Sequence, residues 1–325
     1  MKKVFLIVAA AAAMLTTGFT ACKSNSPQPP EPPKEVDVYV AGYDNSGAAK
    51  VAKVWKNGKD LYSLTDGTNN AAASSVFVVG GDVYTAGYDD KVAKVWKNSE
   101  ELYALTNGSI AARANSVFVA NDKVYTAGYD GAFAKLWENK TAIALTDGSK
   151  SANALSVFIA GNNVYTAGHE KNLAKVWKNG SELFALTAGS DEAGALSVFV
   201  VDEDVYTAGY KNNGTKEVAK VWKNASELFV ITGGSGDVKA YSVYVVGKDV
   251  YVAGEEGDTA KVWKNGEELY KLTDNGEAYS MVVYNGDVYV AGEEGGTAKV
   301  WKNGQEIYSL ADKGRAYSIF IAERK

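Results

Sequence analysis

Tryptophan recurs at Trp55, Trp96, Trp137, Trp177, Trp222, Trp263 and Trp301, at intervals of 41, 41, 40, 45, 41 and 38 residues, each time within a near copy of "AKVWKNG". A period of this length restricts the chain to architectures in which one supersecondary unit stacks on copies of itself. Length alone would suggest two or three domains for 325 residues, but repetition removes that inference.

One unit, beginning at Ser74, reads "SSVFVVGGDVYTAGYDDKVAKVWKNSEELYALT". It contains four short apolar runs. "SVFV" lacks polar alternation and is β-branched and aromatic, as expected of a strand buried on both faces. A Gly-, Asn- or Asp-containing turn leads to "DVYTAG"; then follow "AKVWKN" and, after a turn such as Asn57-Gly58, "ELYALT". Four antiparallel strands in a meander make one sheet, and stacking the sheets around an axis covers every face with a neighbour. With 46% hydrophobic and 22% charged residues, the composition supports such a core.

The chain ends distinguish a closed ring from an open stack. The first copy starts at "DVYVAG" (Asp37 to Gly42) without a preceding "SVFV", and the last stops at "SIFI" (Ser318 to Ile321) without a following "DVY". Together they supply one missing sheet, three strands from the N-terminus and one from the C-terminus, whereas an open solenoid would need polar capping units. The units resemble the blades of seven-bladed β-propellers over residues 36–325. The resemblance implies an all-β fold of seven four-stranded antiparallel blades, closed by N-terminal strands plus the C-terminal strand. The Gly-His and Trp-Asp signature of WD40 repeats is missing, since each tryptophan is followed by Lys or, at Trp137, by Glu138. The sialidase Asp box is missing too. The units are most similar to an uncharacterised "WKNG" repeat of bacterial exported proteins, which implies a fold and a location but no activity. A tryptophan in every copy reads as core rather than as a row of binding sites. Lys53 alternates onto the same strand side and is expected to lie over the Trp55 ring.

The N-terminus carries an address. Lys2 and Lys3 precede the apolar run "VFLIVAAAAAML" and the small and polar "TTGFTAC", the pattern of a secretory signal over residues 1–21 and too short to span a bilayer. "FTAC" resembles the lipobox of bacterial lipoproteins, which implies lipidation of Cys22 and anchoring to the bacterial cell envelope, at the outer membrane or cell surface. Cys22 is the single cysteine, so no internal disulfide staples the fold. All five prolines follow, at positions 27 to 33 of "KSNSPQPPEPPKE". Residues 22–35 thus read as an extended tether, up to ~40 Å long at ~3.1 Å per residue.

Loss of Lys2 and Lys3 takes the formal net charge from −5 to −7. With only Arg113, Arg315 and Arg324 as arginines, nucleic acid is excluded as a partner. The same scarcity speaks against a sialidase, which needs an arginine cluster for its substrate carboxylate. His169 is the one histidine and stands where other copies have Tyr43, Tyr88, Tyr129 and Tyr210, so it reads as a surface variant. With one His and one Cys, classical zinc sites and Cys-His or Ser-His catalysis lack their parts or have only one candidate member, and no D-x-D-x-D-G calcium loop occurs. No cofactor or metal is expected. Ser75, Ser116 and Ser156 read as small packing residues near the axis.

In a meander, the connection from second to third strand and the connection to the next blade emerge on one face, and this face carries the variable loops. Acidic pairs gather there, at Glu255 and Glu256 and at Glu293 and Glu294. The position after a fixed alanine is Ser74, Asn115, Leu155, Leu196, Tyr241, Tyr279 and Tyr317 in successive copies. Tyr241, Tyr279 and Tyr317 belong to consecutive blades and form an aromatic arc bordered by those glutamates, Arg315 and Lys239. Such an arc reads either as a glycan or protein platform or as packing between the shorter "DNGEA" and "DKGRA" loops. Three functions follow: a non-catalytic membrane-tethered binding or scaffold module, a polysaccharide-acting enzyme using loop carboxylates, or a structural surface protein without a discrete ligand.

Overall fold

Each copy closes into a four-stranded antiparallel sheet. In the computed structural model, which describes residues 34–234 and 236–324, the Trp96 blade consists of Ala71–Val79, Asp82–Asp89, Val92–Lys97 and Glu100–Ala104, hydrogen-bonded in that order. Seven such sheets make the described part of the chain a seven-bladed β-propeller. The signal segment, Cys22 and the tether as far as Pro33 lie outside the described residues. Among the described residues no helix is long and apolar enough to cross a membrane.

The ring closes as the chain ends require. Gly314–Glu323 pairs antiparallel with Val36–Asp44, and the Trp55 blade is completed by Val51–Lys56 and Lys59–Ser63. Every other blade has a covalent turn between its first and second strands; here side chains replace it. Arg324 spans from Glu35, at 2.5 Å, to Asp37, at 2.7 Å. Burial alone would raise the Asp37 pKa, but hydrogen bonds from Lys56, Arg324 and Asn57 hold it at about 2.

All seven tryptophans are buried, at 3% exposure or less. Trp55, Trp96, Trp177, Trp263 and Trp301 cluster with the blade before them: Trp96 with Ala41, Ala52 and Val54, Trp177 with Ala127, Ala134 and Leu136, and Trp301 with Ala253, Ala260 and Val262. The constant alanines of "TAG" and "AKVW" are thus the sockets for the next blade's indoles, small against large across the interface. Lys53 does not lie over Trp55. Its ammonium pairs with Asp60 on the neighbouring strand, because an ion pair at the blade rim is in reach while the indole is enclosed. The following lysine makes the ring contact instead: Lys56 sits 5.1 Å over Tyr39 while bonding Asp37 at 2.8 Å. The Trp137 blade reverses this pair, with Lys123 bound to Glu138 at 2.6 Å, which accounts for the one glutamate after tryptophan.

The asparagine of "WKNG" has a fixed task. Asn57 has φ 51° and Gly58 φ 78°, a left-handed pair suited to a two-residue hairpin turn. The Val38 N–H donates to Asn57 Oδ1 at 2.8 Å, and the same bond recurs in every blade down to Val288 and Asn303. The first-strand serines do more than pack. Ser75 Oγ accepts from the Val117 N–H of the next blade at 3.1 Å, and the series continues until Ser280 accepts from Ile319 and Ser318 from Val76. These bonds form an unbroken girdle around the ring.

Three buried threonine hydroxyls, together with the Trp55 indole N–H, are exceptions to this polar satisfaction. Thr85, Thr126 and Thr207 are fully buried and their Oγ1 atoms have no hydrogen-bond partner among the described residues, whereas the equivalent positions hold Val40, Val252 and Val290. Replacing all three with valine is expected to raise the unfolding free energy by about 1 kcal/mol per site, seen as a higher urea midpoint at unchanged m-value. A lowered midpoint would show that these hydroxyls are satisfied in solution.

Candidate functional site

The axial mouth of the ring is built by a bulge repeated in every blade. Between the fixed alanine and the serine of the first strand, the register against the second strand slips by one residue, as between Ala73 and Ser75 or Ala316 and Ser318. The extra residue is the variable one: Ser74, Asn115, Leu155, Leu196, Tyr241, Tyr279 or Tyr317. A bulge turns its extra side chain out of the pleat. It also pushes a carbonyl against the second strand, where a Cβ at Gly87 would stand 2.0 Å from the Ala72 oxygen. The glycine of "AG" is therefore the condition for the bulge. The motif that looks like a turn signal in sequence is a close approach of two strands.

The bulged tyrosines converge. Ring centroids lie 5.6 Å apart for Tyr241 and Tyr279, 5.2 Å for Tyr279 and Tyr317, and 5.7 Å for Tyr317 and Tyr43. The arc foreseen for three blades is thus continuous and gains a fourth ring from the second strand. On the far side of the mouth the same position holds half-buried Leu155 and Leu196, and Asn115 donates to Asn153 Oδ1 at 2.7 Å.

The acidic pairs separate by strand alternation. Glu255 faces the arc and accepts from the Tyr241 hydroxyl at 2.8 Å. Glu293, 8% exposed, accepts from the Gly296 N–H at 2.6 Å. Glu256 and Glu294 turn outward, to Lys261 at 2.7 Å and Lys299 at 3.5 Å. Glu256 also caps the Gly234 N–H, and Glu294 accepts from Thr273 at 2.5 Å. These two glutamates are blade-rim ion pairs, the counterparts of Asp89 with Lys94 and of Glu170 with Lys175, and do not border the arc. Lys239 leans to the preceding blade, where it bonds Glu217 at 2.7 Å and lies 5.5 Å over Tyr210. Arg315 stays with the arc, 5.6 Å over Tyr279 and 3.3 Å from Glu277.

Sequence reasoning passed over Glu277, Arg113, Tyr43 and Tyr88. Glu277 accepts from the Tyr279 hydroxyl as well as pairing with Arg315. The Arg113 guanidinium lies 3.9 Å over the Tyr88 ring. The available signal was the position two before the bulge, which reads Ala72, Arg113, Asn153, Gly194, Lys239, Glu277 and Arg315 and differs more between copies than any strand position around it.

Burial, joined by the neighbouring Glu277 carboxyl, pushes Glu255 up to about 7 despite the hydrogen bond from Tyr241 and the charge of Lys239. The Tyr241 hydroxyl is raised, first by burial and then by Glu255, and Tyr317 is pushed up to about 12 by burial. Because the folded chain holds the Glu255 proton more tightly than the unfolded chain, stability falls as pH rises from 4.5 to about 7. His169 acts in the opposite sense: burial lowers its pKa from 6.5, so stability is lost as pH falls through that value. In a His169→Tyr background the melting temperature is expected to fall between pH 5 and pH 7.5, about the window set by these two values. Adding Glu255→Gln should flatten the profile, and a fall of unchanged size would reject Glu255 as its origin.

No family model matches the sequence, and no curated protein matches it. Among solved structures, the chain is similar to the computationally designed protein Ika8, with TM-score 0.53 and 20% identity over 88% of this chain and 96% of that one. It is also similar to the WD40 β-propeller domain of Doa1, with TM-score 0.54 and 18% identity over 86% of this chain and 90% of that one. At these identities the likeness concerns the fold.

Proposed function

We propose that this chain is a non-catalytic binding module that presents the axial mouth of its ring to a glycan. The observation that carries this reading is the unbroken ring contact Tyr241–Tyr279–Tyr317–Tyr43 on positions where the copies diverge. Half-buried tyrosines with hydroxyls held by Glu255 and Glu277 offer apolar faces beside oriented polar groups, the combination that a sugar ring needs. A protein ligand would use the same surface and would appear as a partner in place of a sugar.

The proximity of Glu255 to Glu277 bears on the enzymatic alternative. A carboxyl raised to about 7 has the acidity of a general acid. Glycoside hydrolysis, however, needs its two carboxyls about 5 Å or more apart with the sugar bond between them. Here the Glu277 carboxyl is near enough to raise the Glu255 pKa, and each of the two accepts from a tyrosine hydroxyl of the arc, which supports binding over hydrolysis.

The tether belongs to the same proposal. Val36 pairs with Glu323 at the end of the blade that carries the tight turns, and the variable loops lie at the opposite end. A lipid on Cys22 and the proline segment would then hold the ring with its mouth pointing away from the membrane, on the bacterial outer membrane or cell surface. Cys22→Ser should release the protein into the soluble fraction; continued membrane association would refute this anchor. For the mouth, glycan-array binding is expected for the wild-type chain and is expected to be lost when Tyr241, Tyr279 and Tyr317 are all alanine. Unchanged binding by a folded triple variant would remove the arc from the site.

A further inference from the structure

Two cations beside the mouth have no carboxylate partner among the described residues, in a chain whose formal net charge is −5. The carboxylates are engaged: Glu277 by Arg315 and the Tyr279 hydroxyl, Glu255 by the Tyr241 hydroxyl, Glu293 by the Gly296 N–H, and Asp89 by Lys94. Arg113 is exposed and has no carboxylate partner among the described residues; its guanidinium lies against the face of Tyr88. Lys50 likewise contacts the Tyr43 ring, at 4.5 Å, and no carboxylate among the described residues.

Tyr43, Tyr88 and Tyr317 form one cluster with Ala72. Arg113 borders this cluster from the Trp137 blade, and Arg315 borders it from the Trp55 blade, where both arginine charges act on the Tyr317 hydroxyl. The Arg113 guanidinium lies 3.9 Å over the Tyr88 ring, a contact that leaves the N–H donors at its edges available to a ligand. A planar fork with free donors is the side-chain geometry that takes a carboxylate with two parallel hydrogen bonds.

We propose that Arg113 anchors a carboxylate of an acidic, uronate-bearing glycan, with the sugar ring against Tyr317 and with Lys50 and Arg315 on the margins. This rests on the glycan reading above and specifies its ligand class. The two arginines stand 202 positions apart in sequence and reach one mouth only because the ring closes.

The test is calorimetry on the full chain carrying Cys22→Ser, with uronate oligosaccharides each paired with its carboxyl-reduced counterpart. The acidic member is expected to bind at least about tenfold more tightly, the effect of one charge-assisted contact. Arg113→Gln should bring the two members to within about twofold of each other by weakening only the acidic one, and Arg113→Lys should recover less than the full preference, since it restores charge without the fork. Arg113 is exposed, so circular dichroism is expected to show an unchanged fold. Equal affinity for both members in the wild type, or a preference untouched by Arg113→Gln, would overturn the carboxylate site. If both members then bind and the tyrosine triple variant binds neither, the glycan reading survives that failure. Binding of neither member by the wild type counts against both.

Discussion

Replacing Trp177 with alanine is expected to lower the unfolding free energy by about 3–5 kcal/mol, the range for truncating a fully buried aromatic side chain. The indole is 1% exposed and fills a socket made by Ala127, Ala134 and Leu136 of the preceding blade. The loss combines transfer of the ring to water with a cavity that two strands of fixed register cannot collapse. Chemical denaturation gives the value directly, and Trp177→Phe should lose less because part of the socket stays filled. The same truncation at Tyr279, half-buried on the mouth, should cost clearly less. A Trp177→Ala loss below about 1 kcal/mol, smaller than typical for any core truncation, would mean that the repeated tryptophan is not what couples the blades.

Deleting residues 314–325 is expected to have the larger effect, loss of the folded ring. Val36–Asp44 would lose its antiparallel partner, the serine girdle would break at Ser280 and Ser318, and the Arg324 bridge to Glu35 and Asp37 would disappear. The exposed edge would be an unpaired apolar strand next to an uncovered blade face, a template for association with other chains. Size-exclusion chromatography should show aggregated or unfolded protein, and a peptide of residues 314–325 supplied in trans should restore the elution volume of the intact chain. A truncated chain that keeps the elution volume and melting temperature of the intact chain would contradict closure by this strand.

The sequence disclosed the ring because its signals repeat. Seven tryptophans at blade spacing, tight-turn Asn-Gly pairs and two incomplete chain ends each point to the same topology, so errors in any one copy are corrected by the others. The mouth was harder to read because it depends on registers that the sequence does not display. The arc of Tyr241, Tyr279 and Tyr317 was legible from its fixed place after alanine, but the bulge that projects those side chains appears only in the pairing of Ala73, Ser75 and their equivalents. Alternation alone separates Glu255 from Glu256, and the two were read as one acidic pair. Arg113 was overlooked for a related reason: its partner Tyr88 belongs to the neighbouring blade, 25 positions earlier, and contacts between blades follow from ring geometry rather than from local pattern. The expected packing of Lys53 on Trp55 failed because strand alternation ignores the carboxylates that the adjacent strand brings into reach.

Across the seven copies, what is constant holds the blades together and what varies collects at the mouth. Hydroxyl-radical footprinting with and without the glycan selected on the array tests this division most directly. Protection of Tyr241, Tyr279 and Tyr317 on binding is expected, with the seven tryptophans equally unreactive in both states. Protection confined to the tight-turn face or to the outer strands, with those tyrosines unchanged, would contradict it.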